Sequence, residues 1–203
     1  MTQLQERELR RSAPTSTNLP LVEERAADAE VRALFAHYRE RFARTDLPGI
    51  VLCFATNAAL LNGMLEIAEN FLFSESLLSR RHKEMIATHV SLQNACPYCA
   101  DSHAAMLAAQ GGTAEVICAL QSGDLSAPLF ASEELALLKF AEQVNANSPA
   151  VTRADVEAAM RAGWTEAQVA ETVHIAALFA AFNRIANGFG LASPFPEGLQ
   201  GRP

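Results

Sequence analysis

The sequence predicts an all-α protein, and three observations predict it. Apolar residues recur at helical spacing almost throughout, caps and breakers fall between the periodic stretches, and no alternating run of β-branched residues occurs. Among the 203 residues there is no exact repeat and no linker long enough to split the chain, so one domain of about eight helices is expected. Residues 1–20 read as a polar N-terminal tail, 21–195 as the helical domain and 196–203 as a C-terminal tail.

The tail ends in the turn-prone Ser16-Thr17-Asn18-Leu19-Pro20. Val31, Leu34, Phe35, Tyr38 and Phe42 then form an apolar stripe in a charged segment, which Leu47-Pro48-Gly49 breaks. From Ile50 to about Phe73 the chain is apolar on more than one face, with Leu60, Leu61, Met64, Leu65 and Ile67. That breadth suits a buried helix or one facing a partner subunit. Ser79 is a suitable N-cap for the next helix, Asn94 to Pro97 is a junction, and another helix runs through Gln110 to the Gly111-Gly112 stop. Thr113 can cap a short helix ending at Ser122-Gly123, and Ser132 a longer one ending near Asn147. Thr152 opens a short helix that stops at Gly163. Thr165 and Gln168 make a capping box for a last long helix to about Asn187.

Half the residues are apolar and 19% are charged, enough for a large core. Lys plus Arg number 16 against 23 Asp plus Glu, a formal charge of -7, which is the wrong balance for a nucleic-acid partner. No apolar run approaches the roughly eighteen residues that span a bilayer, and the first sixteen residues have no apolar core of a secretory signal, so a soluble cytoplasmic protein is expected. A mean hydropathy of +0.07 with abundant alanine suggests apolar surface buried between subunits, hence a homo-oligomer.

The stretch from Glu84 to His103 carries the chemistry. Cys96 and Cys99 are three apart and His103 follows four later, so on a helix all three project from one face. Pro97 suits a first helical position, which puts Cys96 near the cap and Cys99 in the first turn. Free N–H groups and the helix dipole there favour thiolate over thiol. His103 can accept the Cys99 proton, and Glu84 on the preceding helix can orient the imidazole. Such a dithiol can attack the O–O bond of a peroxide or the sulfur of a disulfide and then close on itself. Two other readings are open: a zinc site using Cys96, Cys99 and His103 with His89 or Asp101, and a pair of merely buried cysteines. Ala100 stands where c-type haem attachment needs histidine.

The pattern Glu84-x11-Cys96-Pro97-Tyr98-Cys99-x3-His103 resembles the alkyl hydroperoxidase D (AhpD) group of the carboxymuconolactone decarboxylase-like family. The resemblance extends over about residues 20–190 and includes Phe182-Asn183-Arg184-Ile185-Ala186-Asn187, typical of peroxidase-related members. It implies an all-helical AhpD-like bundle, assembly into trimers or larger rings, and thiol peroxidase or disulfide reductase activity. By the family pattern Cys99 attacks peroxide, Cys96 resolves, and His103 with Glu84 relays protons. The product disulfide would be reduced by an external dithiol, a thioredoxin-like or lipoyl protein. Where well-studied members carry a second histidine this chain has Tyr98, a poor base at neutral pH, so the relay is shorter or routed through water. Decarboxylase members lack the cysteine pair. No cofactor is expected, because no GxGxxG nucleotide fingerprint is present.

Other reactive side chains read as structural. Cys53 and Cys118 lie in apolar surroundings and suit a core. His89 reads as a satisfied helix histidine, His174 as structural, and His37 and His82 as solvated. Trp164 suits a staple against the core, and Arg80-Arg81-His82-Lys83 an exposed first turn.

Overall fold

The structure, a computed structural model, describes residues 17–126 and 128–195; residues 1–16 of the expected N-terminal tail and the expected 196–203 tail lie outside them. Nine α-helices and no strands occur among the described residues: α1 Ala29–Phe42, α2 Gly49–Phe54, α3 Ala58–Ile67, α4 Arg80–Gln93, α5 Pro97–Ala109, α6 Ala114–Ser122, α7 Ser132–Asn147, α8 Arg153–Arg161 and α9 Glu166–Phe189. The expected all-α class holds.

Most helix starts are the ones the caps specify. The Ser79, Thr113 and Thr165 side chains accept from the backbone N–H three residues on. The Ser132 expectation is off by one. Ala131 holds the cap position, and Glu134 accepts from its N–H at 3.1 Å instead. The apolar stretch 50–73 is three pieces rather than one, because Asn57 turns the chain and caps α3 through the Leu60 N–H, and a π turn over Ala68–Leu72 follows. Gly190, at φ +74, ends α9 where a Cβ would meet Asn18 at 2.8 Å, so the chain entering the domain can lie against this helix end.

Two cores form. α1, α2 and α3 bury Val31, Phe35, Val51, Leu61 and Leu65 together, while α4 to α9 enclose the larger cluster that contains Met85, Ile86, Leu107, Leu120, Leu138 and Phe179. Phe73 and Phe182 pack against both. Helix α4 is the axis of the second core: Lys83 to Ser91 are all buried, so it is enclosed by neighbours on every side. Contrary to the expectation that no stretch could span a bilayer, helix α9 is long and apolar enough to do so, but Ile175, Ala176, Phe179 and Ala186 are fully buried inside the fold. Trp164 is 8% exposed and its Nε1 donates to the Glu133 carbonyl at 2.8 Å, as a staple should.

A small third cluster joins Cys53, Cys96, Tyr98, Cys99, Ala186 and Leu191 at the seam between the two cores. Cys118 does not follow Cys53 inside. On α6 the residues around it, Val116, Ile117, Ala119 and Leu120, take the buried face and leave Cys118 exposed.

Candidate active site

The α4–α5 junction sets the dithiol. Ala95 takes a left-handed conformation at φ 49, an unusual choice for alanine, and turns the chain sharply so that the Cys96 N–H bonds the Ser91 carbonyl at 2.9 Å. Asparagines hold this corner. Asn94 Nδ2 donates to Asn145 at 3.0 Å and to Asn183 at 2.9 Å, and Asn187 Nδ2 donates to the Asn94 carbonyl at 3.2 Å. Cys96 becomes the N-cap of α5 and Pro97 its first residue, as the sequence predicts.

Both site cysteines are free thiols and both are buried, Cys96 at 1% and Cys99 at 4% exposure. They are not equivalent. The Cys96 sulfur accepts a hydrogen bond from the Cys99 thiol, which outweighs burial; the Cys99 backbone N–H and Asn183 help, and the Cys96 thiol is held down to about 7. Donating to Cys96, and burial, push the Cys99 thiol up. The sequence reading made Cys99 the ionised sulfur. In the resting pair Cys96 is instead the more acidic thiol, chiefly because its sulfur accepts the hydrogen bond from the Cys99 thiol.

Glu84 comes from α4, fully buried. Its Oε2 meets His103 Nδ1 at 2.6 Å, and its Oε1 accepts from Arg80 Nε at 2.7 Å and from Arg80 Nη2. Burial would raise this carboxyl, but the His103 imidazole and then Arg80 outweigh it and hold Glu84 below the ordinary carboxylate range. The His103 ring stands edge-on to Phe179 with centroids 4.6 Å apart. The expected Glu84–His103 contact is therefore present.

Cys99, His103 and Arg80 line a cavity of about 700 Å³ at the seam of the two cores, with Phe42, Met64, Leu65, Phe73, Phe179 and Phe182 among its apolar walls. Cys96 is not in the lining. Tyr98 lines it too, but its hydroxyl accepts from the Ile50 N–H at 3.1 Å at the start of α2. Burial pushes Tyr98 up to about 12. It ties α5 to α2 and is no base.

Several expectations need correcting. The turn 80–83 is not exposed: Lys83 is fully buried and donates to the Phe71 and Ser74 carbonyls at 2.6 and 3.0 Å, and Arg80 lies over the Phe73 ring at 4.4 Å. His82 is half-buried, its ring edge-on to Trp164. His89 is 2% exposed, and its Nδ1 has no hydrogen-bond partner, so it is not a satisfied histidine. The zinc reading finds no ligand set. His89 faces Gln93 and Glu142, Asp101 is held by Gln121 and Ser193, and no group of three or more His, Cys, Asp and Glu suited to a metal occurs among the described residues. His37 is half-exposed beside Glu69, and His174 is exposed on α9.

Sequence reasoning missed Arg80 as a site residue and Asn183 as a hydrogen-bond donor to the dithiol. A signal for Asn183 existed in the 182–187 segment. For Arg80 the four-residue spacing to Glu84 was available.

Comparison with known proteins agrees with this fold. Residues 58–143 match the carboxymuconolactone decarboxylase family, and they include Glu84, Cys96, Cys99 and His103. A peroxidase-related protein with an AhpD core from Ralstonia eutropha is 24% identical, with a TM-score of 0.79 over 89% of this chain and 94% of its own. A peroxidase-related protein from Silicibacter is 23% identical, with a TM-score of 0.76 over 89% and 93%. A debrominase crystallised with 2,3,4-tribromopyrrole is 18% identical, with a TM-score of 0.59 over 87% and 91%. No protein of curated function matches the sequence. The matched segment is similar to the carboxymuconolactone decarboxylase family, and the fold is that of the AhpD-core protein.

Proposed function

We propose that the chain is a thiol-dependent peroxidase that reduces organic hydroperoxides through a Cys96–Cys99 dithiol/disulfide cycle. One observation carries the reading: Cys99 and His103 line a mostly apolar cavity, and His103 is bound to a buried carboxylate. A small apolar hydroperoxide can enter such a space. The face of a folded protein cannot reach sulfurs that are 1% and 4% exposed, which disfavours disulfide exchange between proteins.

In the first step the Cys99 proton passes to His103 or to the Cys96 sulfur as Cys99 attacks the terminal peroxide oxygen. The O–O bond breaks, Cys99 becomes a sulfenic acid, and the alkoxide leaves as alcohol with a proton from the site. The Cys96 thiolate then attacks the Cys99 sulfur, forming the disulfide and releasing hydroxide, which takes up a proton to leave as water. Two electrons from an external dithiol restore the pair. A slender carrier arm of the lipoyl type suits a buried disulfide better than a thioredoxin-like face. A homo-oligomer in the cytoplasm is the setting proposed. Leu60 and Ile67, 58% and 41% exposed and two turns apart on α3, support the oligomer as a shared apolar face.

The second reading, disulfide exchange or redox sensing, draws on the acidity of Cys96. Rates with cumene hydroperoxide and with a model disulfide separate the two. The peroxidase reading expects Cys99→Ser to abolish hydroperoxide consumption. Consumption at the unmodified rate overturns it.

A further inference from the structure

The geometry points to Arg80 as the positioning residue that balances Glu84 with a permanent charge and so keeps His103 free to accept a proton. This rests on the dithiol reading and adds a residue to it. The carboxylate of Glu84 is divided between two partners, Oε1 to the Arg80 guanidinium and Oε2 to His103 Nδ1. Consider the same buried dyad without the arginine. A carboxylate taken out of water demands a compensating charge, and the only group left to supply it is the imidazole, held as imidazolium. An imidazolium has no lone pair and cannot take a proton from a thiol. Arg80 removes that demand. It cannot deprotonate, so a cation stands beside Glu84 at every working pH whether or not His103 is charged. Nδ1 meets Glu84, so Nε2 is the ring nitrogen left outside that contact.

The position is costly enough to need a reason. Arg80 is the first residue of α4, where a cation opposes the helix dipole, and its side chain is only 16% exposed. Three contacts hold the guanidinium in place besides Glu84: the Phe73 ring face at 4.4 Å, the Phe73 carbonyl at 3.4 Å from Nη1, and Met106 Sδ at 3.8 Å from Nη2. Few other charges compete. Around His103, α4 presents Glu84 and Arg80, α5 presents the Cys99 and Tyr98 side chains, and α9 presents the Phe179 ring. Cys96 adds its sulfur through Cys99. Across the cavity Arg41 pairs with Glu69 and Arg44 with Asp46.

The test reads Cys99 directly. In a Cys96→Ser background, the rate of iodoacetamide alkylation at Cys99 is followed from about pH 5 to pH 9, spanning imidazole titration. Arg80→Met is expected to move the acid limb of that profile up by roughly one pH unit, the effect of losing one nearby cation in a partly screened site. Arg80→Lys, which keeps the charge without the fork, returns it most of the way. An Arg80→Met profile that overlays the unmodified one overturns the proposal. So does an Arg80→Lys profile shifted up by a full pH unit from the unmodified one, a comparison that stands even if Arg80→Met does not fold. Alkylation involves no peroxide, so the two readings fail separately. A shifted profile without hydroperoxide turnover counts against the peroxidase alone, and an unshifted profile with turnover counts against Arg80 alone.

Discussion

Two buried ion pairs begin within one turn of α4 and do different work. Arg80–Glu84 faces the cavity and hands its second carboxylate oxygen to His103. Lys83–Glu171, 3.4 Å apart, is absent from the cavity lining. Lys83 also donates to the Phe71 and Ser74 carbonyls, and Glu171 accepts from Ser76 and from the Leu78 N–H, so this pair pins the 73–79 loop between α4 and α9. Both carboxylates are almost wholly buried. The difference lies in the neighbours. One pair touches an imidazole beside a substrate-sized cavity, while the other touches backbone, a hydroxyl and the Phe71 ring, where its charges have no reacting group to act on. Burial of charge identifies a constrained site; its chemistry comes from what the second oxygen meets.

The sharpest way to break this contrast is to neutralise one member of each pair. Glu84→Gln is expected to lower hydroperoxide turnover by about 10²- to 10⁴-fold, the usual loss when an acid–base relay is cut. Lys83→Met should leave turnover of the folded fraction unchanged and cost about 3–5 kcal/mol in urea unfolding, because Glu171 is left buried without its cation. A fall in turnover on Lys83→Met with unchanged stability would erase the distinction.

Acid sharpens it further. Glu84 is held below the ordinary range, so its contribution to stability is full above about pH 4.5 and lost as pH falls through the lowered value. His89 is lowered from 6.5 by burial, so below that pH the unfolded chain takes up the proton first and stability falls. Acid weakening should therefore begin at His89, before Glu84 contributes. His89→Leu is expected to flatten the upper part of the urea midpoint against pH and leave the lower part. An unchanged upper slope would place the acid sensitivity elsewhere.

The smallest expected effect concerns Tyr98. Tyr98→Phe loses the bond from the Ile50 N–H, about 0.5–1.5 kcal/mol of stability, and keeps hydroperoxide turnover. A turnover loss approaching that of Glu84→Gln would make Tyr98 a member of the relay.

The site motif was legible because helical spacing is geometry written in sequence: Cys96, Pro97, Cys99 and His103 needed only a helix start at Pro97 to share a face. Most caps were legible for the same local reason. What could not be read is tertiary. Arg80 and Lys83 look like an exposed basic turn until the 73–79 loop folds over them and supplies carbonyls. The acidity of Cys96 relative to Cys99 depends on which sulfur accepts the bond between them, and Asn183, eighty-seven residues after Cys96 (183 − 96), favours the thiolate of both. Cys118 escaped because an apolar neighbourhood in sequence does not tell which side of a short helix faces out.

The most direct measurement is peptide mapping of the reduced protein after one equivalent of an organic hydroperoxide. A cavity-facing sulfur already hydrogen-bonded to a partner thiol should yield one Cys96–Cys99 disulfide per chain, two thiols lost, with Cys53 and Cys118 still reduced. An unchanged thiol count, or oxidation confined to the exposed Cys118, would contradict the account.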